Sequence, residues 1–260
     1  MNHSLLLIFV AYHPSVTEID NLINCLEKLR SDIAFAIAVN DFTPNQPVSR
    51  LFDRSVFVDL NIDNPGYGTA VNRIISKIPD LPPYICVLNT DLSWESGVFE
   101  SMLDWIKLNP DVHLMVPKII NTDGVTQYLC KHNPTILALF SRRFVPNILK
   151  PNWLKRYDSW YCMRSYDYNS LFDVSYLSGC CMFLRSSTFK QVNGFDDQYF
   201  LYLEDADLTR MISHYGRCIH FPYASVRHNW GRGNYKSLKL LVVNIVSGIR
   251  YFFKWGIALW

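Results

Sequence analysis

Apolar runs of four to eight residues, separated by amphipathic stretches, constrain this chain more than any other feature. Residues 5–11 (LLLIFVA) are apolar throughout, too long for a turn and too short for an independent helix, so they read as a buried strand. Residues 17–30 follow with Ile19, Leu22, Ile23, Leu26 and Leu29 on one helical face. The pattern then repeats. Strand-like runs at 33–39, 55–60, 83–88 and 113–120 alternate with helical stretches after residue 66 and at 95–108. Strands that stay apolar on both faces need helices above and below them, which predicts an α/β layer with a mainly parallel sheet. Strand character returns over 172–184 and 220–226, and residues 236–260 read as helical throughout.

Residues 130–170 break the alternation. They are basic and aromatic and carry Pro134, Pro146 and Pro151, which predicts a mobile insertion rather than a separate domain. The expected division is one domain over 1–233 and an amphipathic helix over 234–260. The first apolar run lacks a basic leader and is followed by Tyr12-His13-Pro14, so it reads as a strand and not a signal peptide. Seven cysteines without CxxC spacing fit neither a disulfide framework nor a zinc site and point to a reducing cytosol.

A formal net charge of +2 conceals strong segregation. Residues 131–164 hold seven Lys/Arg against one acid, Asp158, and residues 208–260 hold eight with no acid; the remainder has ten against 22 acids. Two basic segments on an otherwise acidic chain imply an anionic partner: nucleic acid, anionic lipid or a diphosphate. No helix-turn-helix, finger or aromatic sheet motif accompanies the charge, which argues against nucleic acid.

In parallel α/β sheets ligands bind outside the carboxyl ends of the strands. Three strand ends deliver polar groups there: Asn40-Asp41, Asn89-Thr90-Asp91 and Arg227-His228. Any of these acids could simply cap the next helix, but Ser93 and Glu95 are available for that duty after Asp91. Asp91 with His228 would suit Mg²⁺ or Mn²⁺, a diphosphate supplying further oxygens; a lone histidine is otherwise more often structural. The turn Asn64-Pro65-Gly66-Tyr67-Gly68 has no third glycine and no following acid, so it is not a dinucleotide fingerprint. Its N–H groups, opening a helix, could still donate to phosphate or sugar hydroxyl oxygens. The acidic run Glu204-Asp205-Ala206-Asp207 follows Tyr199-Phe200-Leu201-Tyr202-Leu203 and precedes helical spacing at Leu208, Met211 and Ile212. It is either a helix cap or a catalytic carboxylate set. GxxxxGK[ST], HExxH and GxSxG are absent, which leaves phosphate-loop hydrolysis, zinc proteolysis and α/β-hydrolase chemistry without support.

The ordered series Asn64-x-Gly66-Tyr67-Gly68-x-Ala70-x-Asn72, Asn89-Thr90-Asp91, Ser178-Gly179-Cys180-Cys181-Met182-Phe183-Leu184-Arg185, Gly194-Phe195-Asp196 with Tyr199-Phe200-x-Tyr202-x-Glu204-Asp205-x-Asp207-Leu208, and His228-x-x-Gly231 resembles the family-2 glycosyltransferases. The bacterial rhamnosyltransferase-like branch is the most similar, and the match runs from about residue 5 to 233. That resemblance implies a GT-A fold and an inverting, metal-dependent transfer of a sugar, a deoxyhexose such as rhamnose, from a dTDP- or UDP-linked donor. The acceptor would be a growing, lipid-linked surface polysaccharide such as O-antigen. It implies that Ala11, Tyr12, His13, Asn40 and Asp41 hold the base and ribose, and that Gly66, Tyr67, Asn72, Asn89 and Asp91 complete the donor side. Asp91 and His228 would hold the divalent metal, Asp205 would be the catalytic base, and Gly179, Cys180, Glu204 and Asp207 would face the acceptor. Three departures stand out: Asn40-Asp41 inverts the usual Asp-Asn order, Asn89 replaces the first acid of the DxD motif, and Cys180-Cys181 replaces small residues.

The apolar 236–260 segment is interrupted by Asn244, Ser247, Arg250 and Lys254 and is rich in Tyr and Trp, which predicts a helix lying in the membrane interface. A helix covering the core is the plain alternative. The expected location is the cytoplasmic, inner face of the cell membrane. Competing functions are a polyprenyl-phosphate sugar transferase of the same fold and a catalytically silent carbohydrate- or nucleotide-binding module.

Overall fold

The computed structural model describes residues 3–229 and 237–260. Gly231 of the His228-x-x-Gly231 motif and the expected boundary at 233–234 lie outside the described residues. The first apolar run forms β1 (Leu5–Tyr12), buried on both faces up to Tyr12. It pairs in parallel with β2 (Ile33–Asn40) on one side and β4 (Tyr84–Asn89) on the other. β3 (Phe57–Leu60) extends this parallel half beyond β2. The connections are α1 (Val16–Leu26), opened by a Ser15–Glu18 capping box, and α2 (Tyr67–Ser76).

Past β4 the sheet turns mixed. Among the described residues the order is β3-β2-β1-β4-β8-β6-β9-β5, with β7 paired on β9. β8 (Cys181–Arg185) runs antiparallel to β4 and to β6 (Val112–Ile120), while β9 (Arg217–His228) is parallel to β6. The short strands β5 (Leu92–Trp94) and β7 (Phe172–Asp173) lie antiparallel on β9. The mainly parallel sheet expected from the alternation is therefore realised in the β3-β2-β1-β4 half, and β8 imposes antiparallel pairing beyond it. Helix α3 (Val98–Leu108) packs one face, and α6 (Ser186–Gln191) and α7 (Glu204–Ile212) follow β8.

The basic segment, expected to be a mobile insertion, has regular structure. It folds as α4 (Ile136–Phe144) and α5 (Asn152–Tyr161). Asp158, the one acid of the segment, is buried; it accepts a hydrogen bond from Ser141 Oγ at 2.8 Å and pairs with the buried Lys150. That network, together with Ala138, Tyr161 and Cys162, ties the two helices to each other. The last helix, α8 (Leu238–Trp255), is shorter than the 236–260 stretch. No described helix is long and apolar enough to cross a membrane. All seven cysteines are free and buried.

Candidate functional site

β1, β2 and β4 are adjacent and parallel, so their carboxyl ends present Tyr12, Asn40-Asp41 and Asn89-Thr90-Asp91 along one edge. The strand order diverges here, with β2 on one side of β1 and β4 on the other, which is where open α/β sheets bind ligands. Asn40 and Asp41 face opposite ways. Asn40 is 2% exposed; its amide donates to Asn64 Oδ1 and the Gly66 carbonyl, both at 3.3 Å, and its Oδ1 accepts from Asn61. Asp41 is in the left-handed region, which turns its carboxylate outward to meet His13 Nε2 at 2.8 Å. Gln46, which the sequence reading missed, bridges His13 Nδ1 and the Asp41 carbonyl. Ala11 is buried in the strand, and Tyr12 projects into solvent. A cavity of about 400 Å³ opens here, lined by Tyr12, Asp41, Asn64, Phe200 and two residues of α8, Lys239 and Val243. A larger cavity of about 490 Å³ lies elsewhere, around Asp111, Asp173 and Arg217, and contains none of the expected site residues.

The glycine turn has a packing role beside the one expected. Gly66 has φ of 96°, and a Cβ there would stand 2.3 Å from the Phe200 carbonyl oxygen. The Gly66 N–H donates to Asn64 Oδ1 and the Tyr67 N–H to Phe200 O, so these two N–H groups are already taken. The turn docks the start of α2 against the segment that carries the acids. Tyr67 then donates its hydroxyl to the Gly179 carbonyl at 2.9 Å. Asn72 accepts from the Phe195 N–H and donates to the Phe195 carbonyl and Asp197, so both of its amide protons hold that segment.

Asp205 sits in the first turn of α7, after Tyr202 and Leu203, both in the left-handed region. Consecutive non-glycine residues in that region are strained, a cost of order 1–3 kcal/mol each that tends to be found at functional sites. Its Oδ2 accepts the Gly179 N–H at 2.8 Å and its Oδ1 the Ala206 N–H at 2.9 Å. Gly179 packs closely on this carboxylate's side chain: a Cβ there would approach the Asp205 Cβ to 3.2 Å. Glu204 is buried, with Oε2 unpartnered among the described residues. Burial first, then the Asp205 charge, push its carboxyl up to about 8. Tyr176 is buried beside Asp205, and burial pushes its phenol up. Lys131, half-buried, lies over the Tyr176 ring at 4.1 Å; burial lowers its pKa and the Asp205 charge opposes that. Asp207 points to α8 instead: Trp255 Nε1 donates to Oδ1 at 2.6 Å and Lys254 Nζ to Oδ2 at 2.8 Å. The acceptor-side position expected of Asp207 is thus filled by the last helix.

Asp91 lies across the start of β8 from Asp205. The Asn89 N–H donates to the Cys180 carbonyl, and the neighbouring Gly179 N–H is the one held by Asp205. Cys180 is buried within electrostatic range of both acids, and burial pushes its thiol well up, so it stays neutral there. Asp91 Oδ2 is 3.3 Å from His228 Nε2. Gln127, a second residue the sequence reading missed, donates through Nε2 to the His228 carbonyl and to Asn121 Oδ1. That fixes Gln127 Oε1 opposite His228 Nδ1, at 3.1 Å, so the ring proton sits on Nδ1 and Nε2 faces Asp91. The other Asp91 oxygen, Oδ1, is buried without a hydrogen-bond partner among the described residues. An unused carboxylate oxygen beside an oriented imidazole nitrogen suits a divalent cation. The described residues contain no set of three or more acidic, histidine or cysteine groups for a metal, so a ligand must complete the shell.

Solved structures share this architecture. GalNAc-T7 with UDP, GalNAc and Mn²⁺ aligns with a TM-score of 0.66 and 12% identity over 97% of this chain and 48% of its own. The mannosyltransferase PcManGT from Pyrobaculum calidifontis, in complex with GDP-Man and Mn²⁺, aligns with a TM-score of 0.61 and 12% identity over 96% of this chain and 65% of its own. The fold is that of the GT-A glycosyltransferases. In sequence, the chain is similar to an enzyme of Mycobacterium tuberculosis, strains CDC 1551 and H37Rv, described as N-acetylglucosaminyl-diphospho-decaprenol L-rhamnosyltransferase. The identity is 31% over 177 residues, 64% of this chain and 56% of the relative. The likeness to a rhamnosyltransferase rests on this sequence match, the solved structures showing the fold alone, and the chain spans only a little over half the length of those relatives. No family model matches the chain.

Proposed function

We propose that this GT-A domain is an inverting glycosyltransferase that moves a sugar, a deoxyhexose such as rhamnose, from a dTDP- or UDP-linked donor to a hydroxyl of a lipid-linked glycan. The observation that carries this reading is the placement of Asp205 and Asp91 on either side of Gly179-Cys180. A catalytic base and a diphosphate site need that proximity, whereas two helix caps would have no reason to share a strand end. The M. tuberculosis relative, named for a diphospho-decaprenol acceptor, supports a lipid-linked glycan as substrate.

In this reading the donor nucleoside rests on Tyr12 and Asp41, with Asn40 holding the turn around them. The acceptor enters beside Gly179 and Glu204. Each Asp205 oxygen already accepts one N–H, which fixes the carboxylate while leaving lone pairs for the acceptor proton. As the acceptor oxygen bonds to C1, the bond from C1 to the diphosphate breaks on the opposite face, and the proton passes to Asp205. Asp91 and His228 would hold Mg²⁺ or Mn²⁺, which when bound stabilises charge on the departing diphosphate. Glu204, protonated at neutral pH, adds no competing charge beside the base. The exposed apolar face of α8 supports a peripheral position on the inner face of the cell membrane.

The test is paired. Asp205→Asn is expected to lower transfer by two to four orders of magnitude, about 10²–10⁴-fold, while UDP or dTDP binding stays near wild type. Asp91→Ala is expected to weaken nucleotide and Mn²⁺ binding together. Near-wild-type turnover by Asp205→Asn would remove the base assignment. Failure of the wild type to bind any nucleotide would favour a silent carbohydrate-binding module, and transfer to polyprenyl phosphate itself would favour the alternative transferase.

A further inference from the structure

The cavity at the ends of β1 and β2 has a wall that the sheet does not supply. Tyr12 and Asp41 come from the strand ends, Asn64 from the turn before α2 and Phe200 from the acidic segment, but Lys239 and Val243 come from the first turns of α8. Lys239 is the one cation among these lining residues. It is exposed and has no carboxylate within ion-pairing distance among the described residues, while Asp41 is already engaged by His13. The helix points the same way electrostatically. Its first turn, capped by Ser237 Oγ on the Leu240 N–H, brings the positive end of an 18-residue helix to the cavity. The rest of α8 is anchored. Ser247 donates to the Leu201 carbonyl at 2.8 Å, and Lys254 and Trp255 grip Asp207, so the first turns are held by a fixed element rather than a loose tail.

We propose that α8 forms the outer wall of the donor site and that Lys239 binds the phosphates of the nucleotide donor. This rests on the donor-site reading above and adds a residue to it. A nucleoside on Tyr12 and Asp41, at the ends of β1 and β2, must send its diphosphate toward Asp91, beyond the end of the adjacent β4. That crossing is short, since neighbouring strands lie about 5 Å apart. Asp91 and His228 would meet the diphosphate from the sheet side; Lys239 meets it from the side of α8. An ammonium is a flexible point charge, suited to phosphate oxygens whose position shifts as the bond to C1 breaks.

The experiment is calorimetric titration of the full chain with whichever of UDP and dTDP binds the wild type, in Mg²⁺, beside the matching nucleoside. Loss of one charge-assisted contact predicts about tenfold weaker diphosphate binding for Lys239→Gln and a larger loss for Lys239→Glu. Nucleoside affinity is expected to stay within about twofold, because one charged contact to phosphate is all that changes. Lys239→Arg is expected to keep most of the affinity, and the salt dependence of diphosphate binding to flatten in Lys239→Gln. Melting temperatures should not move, since the side chain is exposed and unpaired. Equal diphosphate affinity in wild type and Lys239→Gln overturns the proposal. So does an equal proportional loss for nucleoside and diphosphate, which would mark a change of cavity shape. A wild type that binds neither nucleotide refutes the donor-site reading itself, an outcome distinct from both.

Discussion

Glu204 and Asp205 are adjacent carboxylates in opposite circumstances. Asp205 has an N–H on each oxygen, whereas Glu204 is buried with an unpartnered oxygen and a carboxyl raised to about 8. A carboxyl raised in the folded state above its unfolded value near 4.5 favours folding fully below that value; the contribution is lost as pH rises toward 8. Glu204→Gln keeps the shape and removes the titration. Its melting temperature is expected to match wild type at pH 5 and exceed it at pH 9, where the ionised wild type loses on the order of 1 kcal/mol or more. Thermal melts across pH 5–9 test this, and a constant offset between the two proteins would refute it. Gln127 acts at the same scale on the other side of β8. Gln127→Leu leaves the His228 Nδ1 proton without its acceptor, so Mn²⁺ affinity in the presence of nucleotide is expected to fall about 10–100-fold. Titration of Mn²⁺ by its paramagnetic signal reads this directly; unchanged affinity would show that Gln127 does not orient the ring.

At the scale of elements, α8 and the acidic segment are one unit. Tyr251 packs with Tyr176, Tyr199, Leu203 and Ala206, so the last helix supports the backbone that sets Asp205. Asp207 is fully buried, its two oxygens holding Lys254 and Trp255. Asp207→Ala is expected to cost about 2–4 kcal/mol, through loss of charge-assisted bonds from a partly exposed lysine and a half-buried indole. Hydrogen exchange should rise across α8 before the sheet opens; uniform destabilisation without local opening would contradict this unit. The strands were legible in the sequence because burial on both faces leaves an uninterrupted apolar run, as at 5–11, 33–39 and 84–88. α4 and α5 were not, because their staple joins Ser141, Lys150 and Asp158 across a turn, and periodicity carries no sign of it. β5 is three residues long and exists only by pairing with β9. Within the candidate site, the order of motifs pointed to Asp91, Asp205 and His228. Gln46, Gln127 and Lys239 become meaningful only when distant segments meet, and which of Asn40 and Asp41 faces the ligand depends on the left-handed turn at Asp41.

The whole molecule has a side that water does not suit. On α8, Ser247, Gly248 and Tyr251 are buried, while Leu238, Val242, Ile245, Ile249 and Phe253 are exposed along the opposite face. The segment after α8 continues this surface. Ala258 and Leu259 accept hydrogen bonds from the N–H groups of Ile136 and Leu137, placing exposed Ile257, Leu259 and Trp260 beside α4, where Phe140 and Phe144 are also exposed. The two basic segments of the sequence supply these same elements, so apolar surface and positive charge coincide, as an anionic bilayer surface requires. The core-covering alternative posed for the last helix holds for the face that carries Ser247, Gly248 and Tyr251; the membrane-interface reading is the proposal for the opposite, apolar face. Replacing Val242, Ile249 and Phe253 together by Ser removes three side chains, each of which contributes up to about 1.5–3 kcal/mol when fully buried. Interfacial burial is partial, so co-sedimentation with phosphatidylglycerol vesicles is expected to weaken at least about tenfold. The melting temperature should be unchanged, because none of the three packs on the core. Wild-type binding should be weaker to neutral phosphatidylcholine vesicles and should fall with salt, since part of the attraction is Coulombic. Equal vesicle binding by the triple variant would place the membrane contact elsewhere. Aggregation of the wild type that the variant relieves, without any vesicle binding, would make the apolar face a protein–protein contact instead.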